Sequence, residues 1–424
     1  MYLWQSRNMA VFPSAHADAR VAFTYPNFRR FQVARFFIVA AQEMQSVAVG
    51  WQVYAITHRA LDLGLIGLAQ FAPVMLLFLL AGHTVDRFPR NKVLLACYAG
   101  FAVCSASLLL ISWHGTHSVG AIYVVVVILG VVRVFNMPAG RALLPQLVPP
   151  EHFANAVTWN ASAFQAAIIC GPAIGGLLYA FAHGPIAVYA TATVVSLSAA
   201  FTMLSINPQV AARRREPTSL RTVLAGFRFI WHQKIILGSI SLDMFAVLLG
   251  GAVALLPVYA RDILHTDAWA LGLLRSAPGV GAAAMSIFLA YKPLRRRVGI
   301  IMLWCVAGFG VFTIVFGLSR SLILSLFALF LVGASDMVSV VVRSSLVQLQ
   351  TPDAMRGRVG AVNSLFIGTS NQLGEFESGI TAALLGTVPA TVLGGIGTVV
   401  VCALWMRFFP ALLAFDRLDS APAA

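Results

Sequence analysis

Residues 82–94 read Gly82-His-Thr-Val-Asp86-Arg87-Phe-Pro-Arg90-Asn-Lys92-Val-Leu94. One apolar run ends at Ala81 and another begins at Val93, with Asp86, Arg87, Arg90 and Lys92 between them. An irregular charged turn of this kind does not sit in hydrocarbon, where every backbone polar group must be satisfied within the protein. It belongs at a membrane surface, between two spanning helices. A Gly lets two helix ends approach closely, an acid can accept from the N–H groups of a helix start, and basic residues stay at the anionic cytoplasmic face. Gly82, Asp86, Arg87, Arg90 and Lys92 thus form a candidate cytoplasmic latch; the plainer reading is an ordinary basic cytoplasmic turn.

The chain around this turn has the same character throughout. Of 424 residues 59% are apolar and only 10% charged, with a mean hydropathy of +0.84, whereas about a quarter of a soluble domain is charged. A helix crosses the bilayer with roughly 20 apolar residues. Apolar runs of that length fall at about 31–56, 64–82, 92–112, 118–138, 154–182 and 185–206, then at about 235–260, 269–291, 299–317, 321–342, 359–386 and 389–412. That predicts twelve spans in two groups of six and leaves no room for a large soluble domain.

A net charge of +14 raises the question of nucleic acid, but the charges are scattered over short connections, and membrane orientation accounts for them. With the N-terminus inside, only Arg59, Arg261 and Arg320 lie outside and Arg35, Arg133 and Arg275 within spans; every other Lys and Arg, including Arg343, is cytoplasmic. Both termini are therefore expected inside. The five cysteines sit in apolar runs without a Cys-x-x-Cys, so no disulfide framework or zinc site follows. The first 27 residues lack the apolar core of a cleavable signal.

The division expected is an N-terminal tail at 1–27, a six-helix bundle at 28–206, a linker at 207–234, a second bundle at 235–413 and a tail at 414–424. Pro208, Pro217 and three consecutive Arg mark the linker, and residues 219–234 alternate bulky apolar and basic positions, as an interfacial helix or a solvated one would. A repeat supports the division. Shifted by 202 residues, Arg141-Ala-Leu-Leu-Pro-Gln-Leu-Val-Pro-Pro-Glu151 lies over Arg343-Ser-Ser-Leu-Val-Gln-Leu-Gln-Thr-Pro-Asp353, as parallel duplication of a six-helix unit would leave it.

The loop pattern Gly-x-x-x-Asp-Arg-x-x-Arg-x-Lys resembles the connection between helices two and three of the major facilitator superfamily of secondary transporters, which often has Gly where this chain has Pro89. The fifth span carries Ala167-Ile-Ile-Cys-Gly171-Pro172-Ala-Ile-Gly175-Gly176, similar to that family's antiporter motif in helix five, with Ala167 in place of the first Gly. Small residues there leave a flat stripe for a neighbouring helix, and Pro172 permits a bend; generic close packing is the plainer reading. Gly279 and Gly281 to Ala284 offer a mate in the eighth span. The resemblance covers about Phe28 to Phe415, and Tyr54 to Thr57 and the surroundings of Asn155 look like the bacterial branch of enterobactin, macrolide and multidrug exporters. It implies an all-α membrane fold of twelve transmembrane helices in two pseudo-symmetric six-helix bundles, a monomer, in a bacterial cytoplasmic membrane.

A charge near the bilayer centre costs about 2.5–3.5 kcal/mol on insertion scales, so intramembrane ionisable groups mark candidate sites. Glu43 lies near the middle of the first span beside Gln42 and Gln45, as a proton-coupling carboxylate or a structural acid paired with an arginine. Asp243 and Glu375 are the further proton candidates; Glu377, two residues on, turns about 200° away from Glu375. Arg133 and Asp336 sit at nearly equivalent depths in the two halves, as a gate pair across the halves or as structural pairs within each. No nucleotide-binding, hydrolase or metalloprotease motif is present, and His114 and His117 lack a carboxylate partner for a metal. No enzyme, cofactor or metal is therefore expected. The reading is proton-coupled export of small hydrophobic or amphipathic molecules, with small-molecule substrate, protons and the lipid bilayer as partners; uptake or facilitation, and a transport-inactive receptor, are the alternatives.

Overall fold

Long apolar stretches form helices, since in lipid a helix satisfies its own backbone. The computed structural model describes residues 20–115, 118–208, 220–294 and 296–416. In the first half run α1 (Pro26–Thr57), α2 (Ala60–Arg87), α3 (Arg90–Trp113), α4 (Val119–Leu143), α5 (Phe153–Phe181) and α6 (Ile186–Leu204). A short helix α7 (Leu220–His232) precedes the second half. There α8 (Lys234–Gly250) stops at Gly251 and continues through a 3-10 turn, the single turn α9 (Leu256–Val258) and a π turn at Tyr259–Ile263. Then come α10 (Ala268–Tyr291), α11 (Val298–Leu318), α12 (Leu322–Leu349), α13 (Asp353–Leu385), α14 (Thr387–Phe408) and α15 (Pro410–Leu413).

Ten of these helical segments are long and apolar enough to cross a membrane. The other two long ones, α1 and α13, fall outside that set. They are where Gln42, Glu43 and Gln45, and Asn371, Gln372, Glu375 and Glu377, replace apolar residues. Ten plus two agrees with the twelve expected. Large apolar side chains such as Leu76, Val103, Phe201 and Ile323 stay exposed on the outside of the bundle, as a lipid-facing surface requires. The pieces of the expected linker at 209–219, and the tails at 1–19 and 417–424, lie outside the described residues, as do His117, Arg295 and Arg213 to Arg215.

Within each half the helices interlock through small residues: α3 and α6 flank α1 and α4 in the first, α11 and α14 flank α8 and α12 in the second. Between the halves, α5 packs on α10 and α2 on α13. These crossings are close because glycines face each other. A methyl placed on Gly176 would lie 2.5 Å from the Ala268 carbonyl oxygen, and one on Gly64 would lie 2.9 Å from Gly379 Cα. Both contacts sit at the end of the bundle opposite the chain termini, and the Tyr54 hydroxyl, which donates to Asp262 in the π turn, adds a third link there. Toward the termini the halves meet at Arg141 Nη1, which donates to Ser364 Oγ at 3.1 Å.

The α2–α3 connection is tight. Phe88 and Pro89 alone separate the helices, and the Pro89 carbonyl accepts from the N–H groups of Lys92 and Val93. Pro89 at the N-cap of α3 supplies no side-chain cap. Asp86 lies in the last turn of α2, exposed with Arg87, while Arg90 is half-buried and Lys92 exposed. Short α7 lies on α13, with Gly226 against the Arg358 carbonyl and Phe227 stacked between Trp231 and Phe366. Leu224, Phe227 and Trp231 are left on its open face, the apolar stripe of an interfacial helix.

Candidate functional site

Three groups of intramembrane charges stand out, each built by helix packing. The first joins the halves at mid-depth. Glu43, on the polar stretch of α1, lies 4.0 Å from Arg275 Nε on α10. The charges of Glu43, Glu375 and Arg275 all bear on Arg133 of α4, whose guanidinium also donates to the Gln70 amide oxygen of α2. Two carboxylates and two guanidiniums make this quartet neutral. Glycines let it form: a methyl on Gly171 would sit 2.7 Å from Glu43 Cβ, and one on Gly67 2.8 Å from Glu375 Cβ and 3.1 Å from its carboxylate oxygen. Glu377 points elsewhere and accepts from Thr381 of its own helix at 2.8 Å, in line with the rotation between the two acids.

The second group lies inside the C-terminal half. Asp243 on α8 pairs with Arg343 on α12, both nearly fully buried. Asp336, two turns before Arg343, faces the same small cavity as Asp243 and Ser339, with a volume of about 10 Å³, room for about one water. By its sequence Arg343 belongs in a cytoplasmic connection, but α12 runs to Leu349 and buries it. Asp243 therefore has a guanidinium partner. The expected pair between Arg133 and Asp336 is not formed in this conformation. Arg133 turns to Gln70 and the quartet, and Asp336 turns into its own half.

The third group is Arg35 of α1 with Arg141 at the end of α4. The sequence alone points to no role for either. The available signal was an arginine within a span that has no acid at helical spacing.

The glycine motif is divided between two neighbours. Gly171 and Gly175 face α1, against Ala40 and Met44, while Gly176 faces Gly272 of α10. Pro172 lies within α5, and its carbonyl would meet a methyl on Gly272. The eighth-span mate expected at Gly279 to Ala284 is shifted outward. Gly279 does meet Ile169, and its carbonyl accepts from Gln165 at 3.1 Å, but Gly281 faces Phe330 of α12. The reason is register. Α stripe of small residues fixes that two helices approach, and the crossing angle fixes which residues meet.

Among the described residues no cluster of His, Cys, Asp and Glu is arranged to hold a metal ion. Every geometric feature is that of a helical bundle with charges in its interior, and the sequence pattern of the transmembrane secretion effectors matches residues 19–424. The chain belongs to that family of major facilitator transporters. It is a multi-pass membrane transporter and not an enzyme. Similar curated proteins include enterobactin exporters: that of Citrobacter koseri is 28% identical over 412 residues, covering 94% of this chain and 95% of the relative. That of Escherichia coli O81 is 28% identical over 407 residues, covering 93% and 94%. Solved structures agree in fold. A bacterial homologue of the lysosomal transporter Spinster, inward-facing and unoccupied, has a TM-score of 0.72 at 12% identity over 94% of this chain and 99% of that one. An inward-facing bacterial homologue of ferroportin has a TM-score of 0.71 at 15% identity over 92% and 99%.

Proposed function

We propose that this family member exports small hydrophobic or amphipathic molecules in exchange for protons, by alternating access of two six-helix bundles at 28–206 and 235–413 joined by the linker at 207–234. The observation that carries the reading is the charged quartet at mid-depth, held between halves whose glycine-to-glycine contacts lie on one side of it. A neutral quartet is stable in a low-dielectric interior only while its members stay together. Rocking the halves separates Glu43 from Arg275 and Glu375 from Arg133, and a proton then replaces the lost partner. Glu43 and Glu375 thus act as coupling acids. Asp243 is paired with Arg343 and faces one cavity with Asp336, so when that cavity is sealed a single proton balances the second carboxylate; Asp243 belongs to the coupling set on that ground.

The excess of basic residues on the termini side supports a cytoplasmic position for both termini, in a bacterial inner membrane. With that orientation the glycine seam closes the outer face, and we read this conformation as the inward-facing state of the cycle. Asp86, Arg87, Arg90 and Lys92 at the end of the Gly82 turn latch the cytoplasmic side in the opposite state, and Arg133 with Asp336 forms its gate there. The chain works as a monomer. Relatives that export enterobactin support the outward direction; uptake or passive facilitation on the same scaffold is distinguished by the sign of proton movement. In proteoliposomes with a pH-sensitive dye inside, a catecholate siderophore, a macrolide and cationic dyes are offered in turn. Export by antiport gives proton movement opposite to cargo for at least one of them, lost in Glu43→Gln. Cargo movement with no proton movement, or with protons in the same direction, contradicts the reading.

A further inference from the structure

Arg35 is an intramembrane guanidinium with no counter-charge. It makes no hydrogen bond or ion pair to any described residue, its Nε is buried and unbonded, and its neighbours are the buried, uncharged Tyr98 hydroxyl and a second guanidinium, Arg141. Two aromatic faces hold it: its guanidinium carbon is 6.0 Å from the Phe31 ring centroid and 5.7 Å from that of Phe164 on α5. Gly140 leaves the space for it, since a methyl there would lie 3.1 Å from Arg35 Nη1. Arg141 reaches across to Ser364 of the other half.

The duplicated half shows what is missing. Arg343, the counterpart of Arg141 at a shift of 202, has Asp243 as its partner; at the same shift Asp243 falls over Ala41, and Arg35 over Leu237. One half neutralises its arginine internally, whereas the other adds a second arginine and no acid. Leaving a charge unpaired in this position is unfavourable, and that cost is offset when an anion arrives.

We propose that Arg35 and Arg141 form the anion-binding end of the cargo site, and that the cargo is an aromatic organic anion whose acid group takes the two guanidiniums while its ring packs against Phe164. Arg35 is ten residues into α1 and Glu43 eight further, about 12 Å along the helix at 1.5 Å per residue. Cargo and coupling acid therefore occupy different depths on one helix, and the Arg141–Ser364 contact makes bound anion sensitive to the spacing of the halves. This rests on the transport reading above but not on its direction or its proton coupling.

The test reads binding alone, so it fails separately from that reading. Purified protein in phosphatidylcholine nanodiscs is titrated calorimetrically with naphthoate, naphthamide and naphthylmethylammonium, which share a ring system and differ in charge. Naphthoate is expected to bind at least about tenfold more tightly than naphthamide, as charge-assisted hydrogen bonds to arginine provide. Arg35→Gln and Arg141→Gln each abolish most of that preference with naphthamide binding unchanged, Arg35→Lys keeps part of it, and Arg407→Gln, at an exposed helix end, keeps all of it. Ligand-free Arg35→Gln is also expected to melt at a higher temperature than the parent, because it removes an uncompensated charge. Equal binding of the three probes, or a preference intact in the doubly substituted protein, overturns the proposal. So does a lowered melting temperature with loss of all three probes, which would make Arg35 a packing residue. Competition by phosphatidylglycerol added to the nanodiscs would assign the pocket to a lipid headgroup and overturn the cargo assignment.

Discussion

At the scale of single residues, what distinguishes the three charge groups is how each is balanced. The Asp243–Arg343 pair is buried and shares its cavity with Asp336. Removing one member of such a pair strands the other, at a cost of about 3–5 kcal/mol. Arg343→Met should therefore lower thermal stability sharply by differential scanning fluorimetry in detergent, and Arg343→Met combined with Asp243→Leu should recover most of the loss. Glu43 is different in kind, since its partner Arg275 lies 4.0 Å away on the other half and neither is fully buried. Glu43→Gln is expected to leave the melting temperature within a few degrees while abolishing substrate-driven proton movement; a large loss of stability would instead mark it as a structural acid. The sequence made Glu43, Asp243 and Glu375 visible because carboxylates are rare in apolar runs. It hid Arg343, which lies just past its run and looked solvated, and it could not show which guanidinium each acid would meet, because partners come from helices far apart in the chain.

At the scale of the helix, glycine positions decide how the halves touch. Gly175 and Gly176 are adjacent in sequence yet serve different contacts, the first with Met44 of α1 and the second with Gly272 of α10. Overpacking a close contact costs about 1–3 kcal/mol. At Gly176 that cost falls only on the state in which α5 and α10 are in contact, which shifts the population by roughly 5- to 150-fold. Gly176→Leu should thus insert normally and favour the state open at the far end, measured as increased labelling, by a membrane-impermeant maleimide, of a cysteine placed at Ala382, which is buried at that end. Gly175→Leu burdens both states, through α1, and should abolish transport with insertion unchanged; full transport by that variant would contradict the assignment. The sequence identified the stripe in α5 and the polar character of α1 and α13. Spacing alone could not give the register of the mate, so Gly272 took the place expected for Gly279 to Ala284. The break at Gly251, where the expected seventh span ends as turns rather than α-helix, likewise depends on packing, with Gly250 pressed against Phe309 and Thr398.

At the scale of the whole molecule, the proposed cycle closes two bundles on one side of a charged layer as they part on the other. The layer is neutral at the seam, carries a surplus acid in the second half and a surplus pair of arginines in the first, so cargo and proton act on opposite bundles and communicate through the seam between them. A ligand or proton can shift such an equilibrium only through its different affinity for the two states. Both ends of the molecule must therefore respond, in opposite senses. The most direct test places spin labels across each end and reads both distances by pulsed electron resonance in nanodiscs: His183 with Asp267 at the far end, and Phe88 with Leu349 at the termini end. On lowering the pH, the account expects the far-end distance to lengthen while the termini-end distance shortens, with both responses absent in Glu43→Gln combined with Glu375→Gln. Distances that stay fixed, that change in the same sense, or that respond equally in the doubly substituted protein would contradict it.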